Sequence, residues 1–272
     1  MSGARRRTLR IAFVGWGAIA RRAAELLQAR NDNILLAGVA TRRAPATDRV
    51  LPEGARWLPS PDALPDLAPD FVVEAAGRAA VEPWGMASLR CAQAFAVCST
   101  SAFIEDALLH RLLREAERRG SQILVPSGAL AGLDALAAAG SLAIEQVTHR
   151  IIKPPTAWRG TAAEELVDLA GLAEARVFFA GTAREVAARF PANANVAVIS
   201  ALAGVGLDRT QVTLVADPAA SRNCHQLSVR GDFGALDVFV ENRPLAANPK
   251  SSELTALSLV RLIEGRSRAL SF

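Results

Sequence analysis

Apolar and polar positions along this chain follow two periods that take turns. Residues 11–14 (Ile-Ala-Phe-Val) form a short apolar run rich in branched and aromatic side chains, as in a strand buried on both faces. Ile19, Ala23, Leu26 and Leu27 then recur at the spacing of one helical face. Runs at 34–40, 71–77, 95–98 and 122–126 read as further strands, with helical spacing over 82–94 and 105–119 between them. This alternation predicts an α/β fold built on a doubly wound parallel sheet of the Rossmann type. Residues 44–69 interrupt it with Pro45, Pro52, Pro59, Pro61, Pro65 and Pro69, and predict loops around a short helix at most.

The second half changes character. Strands are predicted at 144–152, 176–180, 211–216, 226–229 and 236–241. Thr182-x-x-Glu185 has the spacing of a capping box, and an Ala-rich helix follows, with Asn195 read as its N-cap. Residues 248–252 lead into a last amphipathic helix at 254–263. The pattern predicts a dinucleotide-binding domain over 1–130 and a smaller α+β substrate and dimerisation domain over 131–245. Segment 246–272 is expected to pack back onto the first domain.

The junction of the first strand and helix reads Gly15-Trp16-Gly17-Ala18-Ile19-Ala20, a G-x-G-x-x-A pattern. The two glycines permit a tight turn and a close backbone approach, and a small third residue permits close helix–strand packing. Free amides at the helix start, with the positive end of its dipole, suit a pyrophosphate. Gly15, Trp16, Gly17, Ala18 and Ile19 are therefore candidate cofactor contacts; the plainer alternative is a turn whose glycines serve only the turn. The second strand ends in Thr41-Arg42-Arg43 with no carboxylate for a ribose 2′-hydroxyl. A hydroxyl with a guanidinium suits a 2′-phosphate, so Thr41 and Arg42 point to NADP binding at least as well as NAD. The small-residue stretch from Pro126 to Asp134 is either a ligand-hugging loop or a packing turn.

Composition narrows the chemistry. With 272 residues, 51% of them hydrophobic, the chain can bury the cores of two domains. Its most apolar windows are broken by glycines and by Asp134 and Ser200, so no membrane span is expected. The net charge of +4 comes without a basic stripe interleaved with aromatics, which argues against nucleic acid and suits an anionic cofactor and an acidic substrate. Arg5–Arg7 reads as a solvated terminus; with the apolar run behind it, it imitates a secretory signal, but an amphipathic helix follows where a mature start would stand. Cys91, Cys98 and Cys224 are odd in number and scattered, which suits the cytoplasm, and no Cys/His spacing suggests a metal.

Tyrosine is absent, which excludes any phenol acid/base. That leaves His225, where the chain enters a strand, as the best general acid/base of three histidines. A satisfied strand-edge histidine is the alternative; His110 and His149 read as structural. Lys153 and Lys250 are the only lysines in an arginine-rich chain, and Lys153 in particular suggests a place where a compact charge is required.

A wider set of motifs carries a resemblance. Val73-Glu-Ala-Ala-Gly77, Pro126-Ser-Gly-Ala129-Leu-Ala-Gly132, Lys153-Pro-Pro-x-Ala-Trp158-x-Gly160-Thr161, Phe190-Pro-x-Asn193-x-Asn195 and Asn223-x-His225, together with the glycine turn, resemble the L-aspartate dehydrogenase family over nearly the whole chain. The resemblance implies NAD(P)-dependent oxidative deamination of L-aspartate to iminosuccinate, which hydrolyses to oxaloacetate and ammonia or supplies NAD biosynthesis. It also implies His225 as the active-site residue, and Ala129 and Asn195 as cofactor contacts. Lys153 and Asn223 are candidate substrate contacts, with Arg222 and Lys250 as further cations for the carboxylates. Ile152 stands where the family often carries a basic residue. A homodimer is expected. The rival readings are a reductase of other imines, keto acids or semialdehydes, and a non-catalytic NAD(P)-sensing protein.

Overall fold

A computed structural model describes residues 7–44, 51–191 and 194–271; Arg5, Arg6, Pro45 and Asn193 lie outside them. The chain divides into two compact units, one of residues 1–126 with 255–272 and one of residues 127–254.

In the first unit the order is β1 (Leu9–Val14), α1 (Ala18–Arg30), β2 (Ile34–Ala40), β3 (Arg56–Leu58), β4 (Phe71–Glu74), α2 (Arg78–Cys91), β5 (Ala94–Val97), α3 (Asp106–Arg119) and β6 (Gln122–Leu124). The six strands form one parallel sheet in the order β3-β2-β1-β4-β5-β6. The strand order reverses between β1 and β4, and in such sheets ligands bind outside the carboxyl ends of the strands at that point. Strands this apolar require cover on both faces, and Ile11, Phe13, Val73 and Leu36 are almost fully buried.

The prolines at 44–69 hide one element. Arg56-Trp57-Leu58 pairs with the end of β2 as the sheet's edge strand. Three residues are too few to show a period. Helix α2 begins at Arg78, earlier than its apolar spacing suggests, and carries Pro83 in its second turn.

The second unit holds α4 (Leu133–Ala139), β7 (Ile144–Lys153), α5 (Pro155–Trp158), β8 (Arg176–Thr182), α6 (Ala183–Arg189), α7 (Asn195–Ala203), β9 (Gln211–Ala216), β10 (Asn223–Gly231), β11 (Gly234–Asn242), β12 (Pro244–Leu245) and β13 (Asn248–Ser252). Five strands form a mixed sheet in the order β11-β10-β7-β9-β8, and β12 pairs with β13. The capping box forms as spaced: Thr182 Oγ1 accepts the Glu185 amide, and Glu185 accepts the Thr182 amide at 2.7 Å. Leu136, Val147, Leu227 and Val229 make the core between α4 and the sheet.

The division falls after Pro126 rather than after residue 130, and the loop that follows is tied into the second unit. The Asn242 side-chain amide donates to the Ala129 carbonyl at 3.1 Å, and a Cβ on Gly128 would lie 3.3 Å from Ile199 Cδ1. Residues 248–252, expected to lead into the last helix, instead form β13, and Ser252 donates to Asn242 Oδ1 at 2.5 Å. The last helix, α8 (Glu253–Glu264), buries Leu259, Val260 and Ile263 in the core that includes Ile11, Phe13 and Leu27 of the first unit. Each such side chain contributes about 1.5–3 kcal/mol. Buried Glu264 ends that helix by accepting Arg30 Nε and Asn31 Nδ2, each at 3.0 Å.

One backbone contact sets the shape of the glycine turn. Gly15 has φ +93, and a Cβ there would lie 2.6 Å from the Ala75 carbonyl oxygen. Gly15→Ala is therefore expected to lower unfolding free energy by about 1–3 kcal/mol in urea titration. It should also abolish NADPH fluorescence enhancement at temperatures where the variant remains folded.

Candidate active site

The first unit offers a nucleotide cradle made mostly of backbone. The Gly15 amide donates to the Ala40 carbonyl at 2.8 Å, which ties the turn to the end of β2. Gly17 is the N-cap of α1, no side chain caps that helix, and a Cβ on Gly17 would meet nothing within 4 Å. The first-turn amides of α1 thus begin beside open space, as a pyrophosphate requires. Ala20 is fully buried, consistent with the tight helix–strand approach asked of the third position. Trp16 packs edge-on against Phe13, with ring centroids 5.9 Å apart. These residues fit a dinucleotide.

A buried carboxylate that was not among the expected site residues holds the neighbouring loops. Glu74, fully buried at the end of β4, accepts the amides of Ala76 (2.7 Å), Gly77 (2.8 Å) and Ser99 (3.0 Å) and the Ser99 hydroxyl (2.9 Å). It pins the connections leaving β4 and β5 at the carboxyl edge of the sheet. A lone carboxylate closing an apolar strand before Ala-Ala-Gly was the available signal. At the end of β2, Thr41 donates its proton to the Arg43 carbonyl (2.6 Å) and accepts the Trp57 indole N–H (3.2 Å). Its hydroxyl shapes the loop, while the guanidinium-bearing Arg42 is exposed.

In the second unit the strand register builds the chemistry. His225 on β10 lies opposite Ile151 on β7, and Leu227 lies opposite His149. His149, Ile151 and Lys153 alternate onto one face of β7, so His225 stands diagonally between His149 and Lys153, within side-chain reach of both. The His149 and His225 rings are 5.3 Å apart between centroids, and Nε2 of His149 is 3.2 Å from Nδ1 of His225. Ser200 on α7 reaches His149 Nδ1 at 2.9 Å. All three side chains are buried. Burial pushes His149 down to about 3, and burial together with the charges of His149 and Lys153 holds His225 well below the usual imidazole range.

Lys153 is buried too, its Nζ 4.9 Å from the centroid of the Trp158 ring. The Pro154-Pro155 pair turns the chain directly into the single turn of α5, which returns Trp158 beneath the lysine. Trp158 donates to the Val215 carbonyl at 3.0 Å and packs edge-on against Phe178, 4.8 Å between centroids. Burial lowers the Lys153 ammonium to about 8.

The structure brings together some of the expected residues and sets others apart. His225 and Lys153 share a face, and Asn223 heads the same strand as His225. His149, read from sequence as structural, is hydrogen-bonded to His225; the 76 residues between them hid the pairing. Asn195 is not the N-cap of α7. The chain is already helical at Ala194 (φ −89, ψ −16), which occupies that position, so the Asn195 side chain stands one residue too far in to cap. Arg222 is exposed and paired with Glu241 at 2.9 Å, Lys250 is exposed on β13, and His110 is exposed on α3. Among the described residues no group of three or more His, Cys, Asp or Glu could hold a metal ion, and no helix is long and apolar enough to cross a membrane.

Comparison with known proteins matches both units. The family model "Aspartate dehydrogenase, C-terminal" covers residues 134–266, and "Homoserine dehydrogenase, NAD binding domain" covers residues 15–126. The L-aspartate dehydrogenase of Brucella anthropi is 54% identical over 94% of this chain and 96% of its own. That of Serratia proteamaculans is 42% identical over 94% and 98%. The crystal structure of aspartate dehydrogenase from Thermotoga maritima superposes with a TM-score of 0.77 at 26% identity, covering 97% of this chain and 99% of the other. A glycine turn at the switch point of a parallel sheet, a buried histidine beside a buried lysine in a mixed one, and identity of this extent lead to one assignment: the chain belongs to the L-aspartate dehydrogenase family.

Proposed function

We propose that this protein oxidatively deaminates L-aspartate to iminosuccinate with NAD(P), and that His225 is its general base. The observation that carries the reading is the placement of one buried imidazole diagonally between a second imidazole and a buried lysine, in a chain of this family. L-Aspartate brings an ammonium group and two carboxylates. The Lys153 ammonium supplies a charge-assisted hydrogen bond for a carboxylate, and the Asn223 amide adds a neutral donor. The neutral His225 ring takes a proton from the substrate ammonium, which leaves the nitrogen lone pair able to form the C=N bond. Bound nicotinamide supplies the hydride acceptor for the substrate Cα–H. The substrate's negative charge opposes that of Lys153 and so strengthens the imidazole as a base while substrate is present. The same ring, returned to its neutral form, can draw a proton from the water that hydrolyses the imine.

Ala129 and Asn195 are assigned to the nicotinamide half of the cofactor. The Ser127–Gly132 loop packs on α7, the helix that Asn195 opens, which supports their acting together. Arg42, with no carboxylate at the end of β2, supports NADP use at least equal to NAD. We further take the enzyme to act as a homodimer in the cytoplasm. Unpaired thiols at Cys91, Cys98 and Cys224 support a reducing compartment, and Phe239, 62% exposed on β11, supports a contact through the second sheet.

The deciding assay is NADPH oxidation with oxaloacetate plus ammonia against oxaloacetate alone. Oxidation only with ammonia supports the reading; oxidation without it makes the protein a keto-acid reductase, and binding without turnover makes it a sensor. His225→Ala should lower kcat by roughly 10²–10⁴-fold while NADPH affinity, read by fluorescence, stays within twofold. Arg42→Ala should weaken NADPH by about tenfold, the loss of one charge-assisted contact, and leave NADH unchanged. Succinate, a dicarboxylate without an amine, tests Lys153. Because burial lowers the lysine to about 8, its charge is present below that pH and lost above it, so inhibition by succinate should weaken as pH rises through 8. Lys153→Met should bind succinate weakly at every pH.

A further inference from the structure

The hydrogen bonds behind His225 form a line with a direction. Ser200 Oγ lies 3.0 Å from the Ala197 carbonyl oxygen, one turn back on α7, and 2.9 Å from His149 Nδ1. His149 Nε2 lies 3.2 Å from His225 Nδ1. The serine has one proton, and of its two neighbours the carbonyl can only accept. With the hydroxyl donated to Ala197, its oxygen is left to accept, so His149 carries its proton on Nδ1. A neutral imidazole has a single ring proton, so His149 Nε2 is bare and accepts from Nδ1–H of His225. His225, neutral as well, then has its lone pair on Nε2.

The reverse order gives every proton the other sense. Ser200 would donate to His149 Nδ1, His149 Nε2–H to His225 Nδ1, and His225 would carry its proton on Nε2. That order leaves the serine and Ala197 oxygens facing each other, both buried, without a proton between them.

We infer that Ser200 and His149 are positioning residues that fix the tautomer of His225, leaving its Nε2 as the bare nitrogen that accepts the substrate's proton. The inference rests on the reading of His225 as the base. In the step it describes, an N–H bond of the substrate ammonium breaks, its electron pair stays on nitrogen, and a new N–H forms at His225 Nε2. The resulting imidazolium keeps its Nδ1–H on the bare Nε2 of His149, so no donor faces a donor at any stage. Lys153, on the same face, disfavours the imidazolium until a carboxylate offsets it. In the opposite tautomer His225 would present an N–H to the ammonium and could take nothing.

The test is direct because the chain has three histidines. Long-range 1H–15N correlation on full-length protein labelled with 15N-histidine reports which nitrogen of each ring is protonated, and His110→Gln and His149→Gln variants assign the three sets. At neutral pH, both His149 and His225 should show protonated Nδ1 and bare Nε2. A protonated Nε2 on His225 overturns the inference, whatever the activity data say. In kinetics, Ser200→Ala removes the acceptor that orders the line, and kcat should fall roughly 10- to 100-fold, short of the ~10⁴-fold known for a fully wrong tautomer, with KM for aspartate within twofold. Ser200→Thr restores a hydroxyl and should recover most of the loss. His149→Gln, which places an acceptor oxygen near the former Nε2, should retain more activity than His149→Leu; equal losses would count against the relay. If His225→Ala turned over normally while the wild-type tautomer were as stated, the base assignment would fail and the hydrogen-bond order would stand.

Discussion

Two imidazoles share one buried face of β7 and β10, and most of the second unit's organisation depends on how they are satisfied. In water each ring would exchange protons with solvent. Inside the sheet each must find its partner in the protein, because an unpaired buried nitrogen costs about 1–3 kcal/mol. The pair meets that demand internally at one contact and through α7 at the other, by way of Ser200. The helix is therefore held against the sheet by a polar bond as well as by its apolar face, where Ala197, Val198 and Ala201 are fully buried. Ile199 of the same helix lies beside Gly128, so α7 also packs against the Ser127–Gly132 loop, which Asn242 ties at Ala129.

The first unit solves the opposite problem. Its nucleotide cradle has few side chains with which to hold shape, because backbone must come close to the ligand. The shape is passed from loop to loop. Gly15 lies against the Ala75 carbonyl, the chain after Ala75 is held by the carboxylate of Glu74, and that carboxylate also holds Ser99 after β5. An ionised carboxylate accepts about four hydrogen bonds, and Glu74 receives four, so its burial is tolerated. A glutamine there would turn one acceptor into a donor facing donors.

What was legible in the sequence was local. Buried parallel strands announce themselves as apolar runs, so β1, β2 and β5 were readable to within a residue or two, as was the capping box at Thr182, while β4 stops at Glu74, three residues before the expected end. β3 was not, because an edge strand of three residues has no period to detect among prolines. Asn195 misled for a related reason: Asn before a helical run is a good N-cap signal, but whether the helix starts one residue earlier depends on packing at Ala194, which is fully buried. His225 was singled out by the titration chemistry of histidine, by the absence of tyrosine and by the family resemblance. Its partners were invisible, since a diagonal contact between antiparallel strands depends on register, and no feature near His149 encodes the register of β10. Ser200 lay further out of reach, on a helix whose apolar sequence gives no reason to pick one hydroxyl.

The residue usage at position 153 follows from the same burial. Nearly every other cation in the chain is an arginine, and Arg222, Arg111 and Arg184 form ion pairs with Glu241, Glu82 and Asp208. A guanidinium keeps its charge in any environment and presents a wide planar fork, so burying one without a fixed carboxylate leaves a permanent unpaired charge. An ammonium is compact and can rest over an indole face, as Lys153 does over Trp158. Burial brings it to about 8, closer to neutrality than any guanidinium would come.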